Sequence, residues 1–116
     1  MFTIIFPVLN ERLRLESGVT RTVEYLQSIA FEDYEIIIVD NGSEDETPQI
    51  AEKLCKKYDK VRYERINVRG VGAAFRRGVE VSHGDVVGYM DIDLSTNIRH
   101  LGEAIHLFET QPEIQY

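Results

Sequence analysis

At 116 residues, 43% of them hydrophobic and 28% charged, the chain has the size of one domain with a modest core and the composition of a soluble globular protein. Its net charge of −7 argues against a general binder of nucleic acid or of anionic membranes. The longest strictly apolar run, Ile4 to Leu9, is far too short to span a bilayer. No basic and apolar leader opens the sequence, and a lone cysteine, Cys55, cannot form an internal disulfide. Both features fit a reducing cytoplasm.

Phe2 to Leu9 is rich in β-formers and almost wholly apolar, the pattern of a strand covered on both faces. Val19, Val23, Leu26 and Ala30 recur at helical spacing and predict a first helix. Tyr34 to Val39 (YEIIIV) predicts a second buried strand. Thr47-Pro48 has the form of a helix start, with Thr as N-cap and Pro at the first helical position. Ile50, Ala51, Leu54, Cys55 and Tyr58 form the apolar stripe of that second helix, which makes Cys55 a structural thiol rather than a nucleophile. Val61 to Ile66 is a more polar strand, expected nearer a sheet edge. Val71, Ala74, Phe75 and Val79 predict a third helix, and Asp85 to Met90 a fourth strand. Leu101, Ala104, Ile105 and Phe108 place a fourth helix at i, i+3, i+4, i+7 spacing.

No repeat, linker or low-complexity segment interrupts this order, so residues 1–116 read as a single domain. The alternation predicts an α/β fold: an open, mostly parallel sheet with right-handed crossovers and helices on both faces. In such sheets the loops that follow the strands gather along one edge, and ligands bind where the strand order reverses.

Chemistry-bearing residues do cluster after the strands. Strand one ends in PVLNER, strand two in VDNGSEDET, strand three in NVRGVGAA and strand four in MDIDLST. Asp40 stands where an apolar strand stops, and a carboxylate there can accept the N–H of uracil or guanine. Asn41-Gly42 is a strong turn pair, but here it bridges a strand and a helix rather than a hairpin. Gly70, Gly72 and Gly78 are spaced as if to open a helix against a phosphate or a neighbouring backbone. They do not make a dinucleotide fingerprint, because they follow the third strand and Phe75 occupies the place of the final glycine. Tight helix packing is the expected role of Gly78. Five arginines (62, 65, 69, 76 and 77) read mostly as a solvated face, with one or two free to meet an anionic ligand. His83, His100 and His106 show no ligand spacing and read as surface residues.

Asp91 and Asp93 pose a separate problem. In an extended chain they would share a face and repel. A two-residue step is roughly 6.6 Å, too far for both to clasp one ion unless the chain bends after Ile92. Mg2+ or Mn2+ is commonly held by one or two carboxylates with substrate phosphates and water completing the shell. The pair therefore makes sense as half of a site whose other half is a diphosphate.

Taken together, FPVLNE, IIIVDNGSEDET, GVGAAFRRG and GDVVGYMDIDLS resemble the family 2 glycosyltransferases of GT-A fold, from about Thr3 to Leu101. The nearest likeness is to polyprenyl- and dolichyl-phosphate mannose and glucose synthases. The resemblance implies a Rossmann-like nucleotide-binding half of a GT-A fold. It implies that Pro7, Asn10 and Glu11 line the nucleotide pocket, that Asp40 contacts the base, and that Gly70 and Gly72 lie beside the nucleotide-sugar. Asp91 would face ribose or metal, and Asp93 would be the main metal ligand and the catalytic residue. Ser95 lies where some relatives have a further ligand, and Asn41 replaces an aspartate common in the family. The family's catalytic domain is typically about twice this length, so the chain is expected to hold the donor half and little of the acceptor half.

The reaction implied is sugar transfer, with inversion, from a UDP- or GDP-linked sugar to an acceptor such as a polyprenyl or dolichyl phosphate. It would proceed in the cytoplasm or at the cytoplasmic face of a membrane. A phosphate nucleophile is already ionised and needs no strong base. The incomplete sheet leaves an edge that invites self-association, so a homo-oligomer is expected. Two other readings compete: a nucleotide-binding fragment without turnover, and a haloacid-dehalogenase-type phosphohydrolase. Asp91-Ile92-Asp93-Leu94-Ser95 nearly fits the phosphohydrolase motif, but sits late in the chain and has no lysine after it.

Overall fold

The computed structural model describes residues 1–93 and 98–110. These form β1 (Phe2–Val8), α1 (Leu15–Ser28), β2 (Tyr34–Asp40), α2 (Thr47–Lys57), β3 (Val61–Arg65), α3 (Val71–Val81), β4 (Val86–Tyr89) and α4 (Arg99–Thr110). The strands make one parallel sheet in the order β3-β2-β1-β4. As expected, the more polar β3 is an edge strand.

The strand order explains the layering. The first two crossovers step from β1 towards β3, whereas the third jumps back to lay β4 on the far side of β1. Right-handed crossovers running in opposite directions place their helices on opposite faces. Phe2, Ile4, Phe6 and Val8 of β1 pack in the larger core with Leu15, Val19, Val23 and Leu26 of α1. Ala51 and Leu54 of α2 and Leu101, Ala104 and Ile105 of α4 join the same core. The opposite face is thin, with Ile5, Ile37 and Val39 packing against Ala74 of α3. No helix among the described residues is long and apolar enough to cross a membrane.

Two local details go beyond the sequence pattern. α3 forms where Val71, Ala74, Phe75 and Val79 predict a helix, but Val71, Phe75 and Val79 stand 55%, 41% and 42% exposed, while Ala74 and Gly78 are buried. The small residues face the sheet because the approach is close: a Cβ on Gly78 would overlap the side chain of the fully buried Ile5. Gly78→Val is therefore expected to destabilise the fold by about 2 kcal/mol, since overpacking a filled core forces neighbours off their rotamers. Urea unfolding should show a lower midpoint at an unchanged slope; an unaltered midpoint would refute the close contact.

The second detail, a correction, concerns α2. Pro48 does sit in its first turn, but Thr47 is not the cap. Asp45 Oδ1 accepts the Thr47 N–H at 2.9 Å, and the buried Thr47 hydroxyl instead accepts the Glu11 N–H at 2.9 Å from the preceding loop. Cys55 is half-buried on α2, and burial raises its thiol above the ordinary range, as a structural cysteine requires.

Candidate functional site

The first two strand-end loops are tied to each other. Asn10 adopts φ 53°, a left-handed conformation that asparagine tolerates better than most residues. From there its N–H donates to Ser43 Oγ and its Oδ1 accepts the Glu44 N–H, both at 2.8 Å. The Arg12 N–H donates to Asp45 Oδ2 at 3.3 Å, and Glu11 N–H reaches Thr47 as above. The acidic turn of β2–α2 thus holds the β1–α1 loop in place.

Asp40, the last residue of β2, is completely buried. Its Oδ1 accepts the N–H groups of Gly42 and Ser43 at 3.0 and 2.7 Å, and its Oδ2 accepts the Tyr63 hydroxyl at 2.7 Å. Arg65 Nη1 lies 3.6 Å from the same oxygen. Burial, reinforced by the bond to Asp40, pushes the Tyr63 phenol up to about 12. In this conformation the carboxylate shapes the loop, whose turn passes through Gly42 at φ 100°.

Asn41 turns the other way. With its amide oriented as the surrounding groups demand, Nδ2 donates to the carbonyl oxygens of Gly70 and Val68 at 3.0 and 3.1 Å. This single side chain joins the β2–α2 loop to the β3–α3 loop.

The loops enclose a cavity of about 190 Å³. Pro7, Val8 and Leu9 contribute from the end of β1, Asn41 from beyond β2, Gly70 and Val71 from beyond β3, and Tyr89 and Asp91 from β4 and its exit. It therefore lies between β1 and β4, where the strand order reverses. Of the residues singled out in the sequence, Pro7, Gly70 and Asp91 line it. Asn10, Glu11, Asp40 and Gly72 do not: Asn10 and Asp40 are spent on the loops, and the Glu11 carboxylate lies 3.3 Å from Arg14. Gly70 holds φ 115° with open space around its Cβ position, so its backbone is bare towards the cavity.

The two aspartates separate. Ile92, 4% exposed, inserts against Gly18 of α1, where a Cβ would overlap the Ile92 carbonyl oxygen. Asp91 lines the main cavity, whereas Asp93 lines a second depression of about 100 Å³ beside Arg14, Ser17 and Arg21 of α1. The chain turns at Ile92 and Asp93, but it does not bring both carboxylates to one place. Among the described residues no group of three or more His, Cys, Asp or Glu could hold a metal. Ser95 lies outside the described residues.

The arginines divide as well. Arg62 and Arg77 pair with Glu35 and Glu64 at 2.9 and 2.8 Å, and Arg65 approaches Asp40. Arg69 and Arg76 form no ion pair among the described residues, and Arg69 adjoins Gly70 at the cavity. Sequence reading missed Glu35, a buried acid whose signal was its place inside an apolar strand, and it undervalued Asn41.

A model of glycosyl transferase family 2 matches residues 3–115. The chain belongs to this family. Its curated relatives include the glycosyltransferase AglD of Haloferax volcanii, 38% identical over 105 residues, a match that covers 89% of this chain and 17% of that protein. The mouse dolichyl-phosphate beta-glucosyltransferase is 39% identical over 101 residues, covering 81% of this chain and 31% of the enzyme. The family 2 chain thus spans a third or less of these relatives. Among solved structures, the mannosyltransferase PcManGT from Pyrobaculum calidifontis, in complex with GDP-Man and Mn2+, superposes with a TM-score of 0.75 at 22% identity. That match covers 92% of this chain and 32% of that one, and the shared fold is that of GT-A glycosyltransferases.

Proposed function

We propose that this chain is the donor-binding portion of a glycosyltransferase that moves a sugar from a nucleotide diphosphate to a lipid-phosphate acceptor. One observation carries the reading: the switch-point cavity draws on all four strand ends of a family 2 chain. Ligands of open α/β sheets bind at that place. The mouse relative, a dolichyl-phosphate glucosyltransferase, supports the acceptor class, and the GDP-Man and Mn2+ of PcManGT support the donor and a divalent cation.

In this reading the base and ribose lie along Pro7, Val8 and Leu9. The bare backbone at Gly70 admits the diphosphate, and Arg69 beside it offers a cation with no competing ion pair among the described residues. The residues present fit a divalent cation only in part. Asp91 can offer it one carboxylate, while Asp93 must leave its depression beside Arg14 and Arg21 to join. A divalent cation held by Asp91 together with diphosphate oxygens would supply Lewis-acid stabilisation of the charge on the departing nucleotide. Asp91, exposed and beside the Tyr89 phenol, is the residue of this chain held ready in the cavity. The phosphohydrolase reading falls to the family match.

Calorimetric titration of UDP and GDP, with and without Mn2+, tests the proposal. The wild-type chain should bind one of them in a Mn2+-dependent manner, and Asp91→Asn should weaken binding at least about tenfold, the scale of one lost charge-assisted contact. Asp93→Ala should show a smaller loss. A folded wild-type chain that takes neither nucleotide would make it a non-binding fragment.

A further inference from the structure

Another cavity, of about 270 Å³, opens at the far end of the sheet, where β2 and β3 begin. Its floor is aromatic. Ala30 closes α1 in a left-handed conformation, φ 55°, where glycine is usual, and the turn brings Phe31 back against Tyr34. The two rings stack at 6.2 Å with 21° between their planes, and each residue is 7% exposed. Four charged side chains of both signs line the same space: Glu32, Lys57, Asp59 and Lys60. None of them forms an ion pair among the described residues. Instead the Lys60 ammonium lies 4.6 Å from the Tyr34 ring centre, and the Lys57 ammonium 5.3 Å from that of Tyr58. Lys60 also donates to the Glu32 carbonyl oxygen and keeps further N–H groups to offer. Burial, followed by the neighbouring Tyr58 and Glu32, raises the Tyr34 phenol, so at neutral pH it too is a donor.

We infer that this cavity is a second ligand site, separate from the donor cavity, and that it takes a small aromatic zwitterion of the free aromatic amino acid class. Opposite charges that share a cavity without neutralising one another, beside stacked rings, complement a molecule that brings both charges and a ring. The ligand ring lies against Phe31 and Tyr34. Its carboxylate meets the Lys57 and Lys60 ammonium groups, and its own ammonium meets Glu32 and Asp59. An aromatic acid or an aromatic amine satisfies only one sign and leaves the other pair of side chains without a counter-charge. An aliphatic amino acid carries both charges but lacks the stacking surface.

Calorimetric titration of the nucleotide-free chain with L-phenylalanine at neutral pH tests this. Saturable one-to-one binding is expected with a Kd of about 1 mM or below. Three truncated compounds divide the ligand: 3-phenylpropanoate lacks the ammonium group, phenethylamine the carboxylate, and L-alanine the ring. Each should bind at least about fivefold more weakly, the scale of one partly exposed ionic or stacking contact. Lys57→Gln and Asp59→Asn change exposed side chains outside the sheet, so circular dichroism should match wild type while L-phenylalanine affinity falls at least about threefold in each. Saturating UDP or GDP with Mn2+ should leave that affinity within about twofold, because the two cavities lie at opposite ends of β2. No binding at about 10 mM L-phenylalanine would overturn the inference. So would 3-phenylpropanoate binding as tightly as L-phenylalanine, which leaves a plain anion site, or affinity untouched by both substitutions. Displacement of L-phenylalanine by either nucleotide would put it in the donor cavity and overturn the second site equally.

Discussion

Asp40→Ala should cost about 3–5 kcal/mol of stability and with it the order of both flanking loops, because it strips partners from buried donors. The Gly42 and Ser43 N–H groups and the Tyr63 hydroxyl all end on this one carboxylate, which has no exposed surface. In urea the midpoint should fall by about 2 M. Asp40→Asn keeps an acceptor for the two backbone N–H groups and should lose much less, about 1–2 kcal/mol. The Tyr63 phenol gives an independent readout. It stays protonated to about 12 in the folded chain, against an ordinary value of 10, so the native state holds its proton more tightly. The stability contributed is complete below pH 10 and disappears as pH rises from 10 to about 12. Ultraviolet titration, with Tyr63→Phe to assign the transition, should show this late phenol moving down in Asp40→Asn. An Asp40→Ala chain as stable as wild type would return the residue to the ligand-contacting role expected from the sequence.

The second large effect lies at the opposite end of the sheet. Glu35, 5% exposed, accepts the Thr3 hydroxyl at 2.8 Å, the His83 N–H at 2.5 Å and Arg62 Nη1 at 2.9 Å. Arg62 also donates to the Val81 carbonyl at 3.0 Å. The acid therefore binds the starts of β1 and β3 to the connection between α3 and β4. Glu35→Ala should destabilise the chain by about 3 kcal/mol, mostly through the buried donors left unpaired rather than through the half-exposed arginine. Burial alone would raise this carboxyl, but the hydrogen bonds from His83, Thr3 and Arg62 outweigh it and the net shift is downward. A depressed folded value means that the contribution is present above the ordinary 4.5 and is lost as pH falls below it. Wild type should thus lose stability relative to Glu35→Gln on acidification, measured by urea unfolding at several pH values. Parallel pH profiles for the two proteins would show that the charge of Glu35 contributes nothing.

Neither residue was legible for what it does. Glu35 stood in YEIIIV as an acid among apolar residues, but its three partners come from positions 3, 62 and 83, which no local pattern brings together. Asp40 is legible as the stop of a strand. Its neighbours Gly42 and Ser43 are local, yet Tyr63 comes from β3, and no local pattern shows that one carboxylate anchors all three.

Local pattern alone is enough for the α/β class and the order of eight elements, and it points to the sheet edge where the strand-end loops gather. Hydrophobic period and turn residues are local properties, and right-handed crossovers leave few ways to close such an alternation. The four strand-end motifs also sufficed to place the chain in family 2. Which side of a helix is buried, and where each charge finds its partner, depend on contacts between distant parts of the chain. Close packing set the first: α3 presents Ala74 and Gly78 to Ile5 because bulkier residues do not fit. Long-range geometry set the second. Asp91 and Asp93, two apart in the chain, line different cavities because Ile92 between them is buried against Gly18, 74 positions earlier in the sequence.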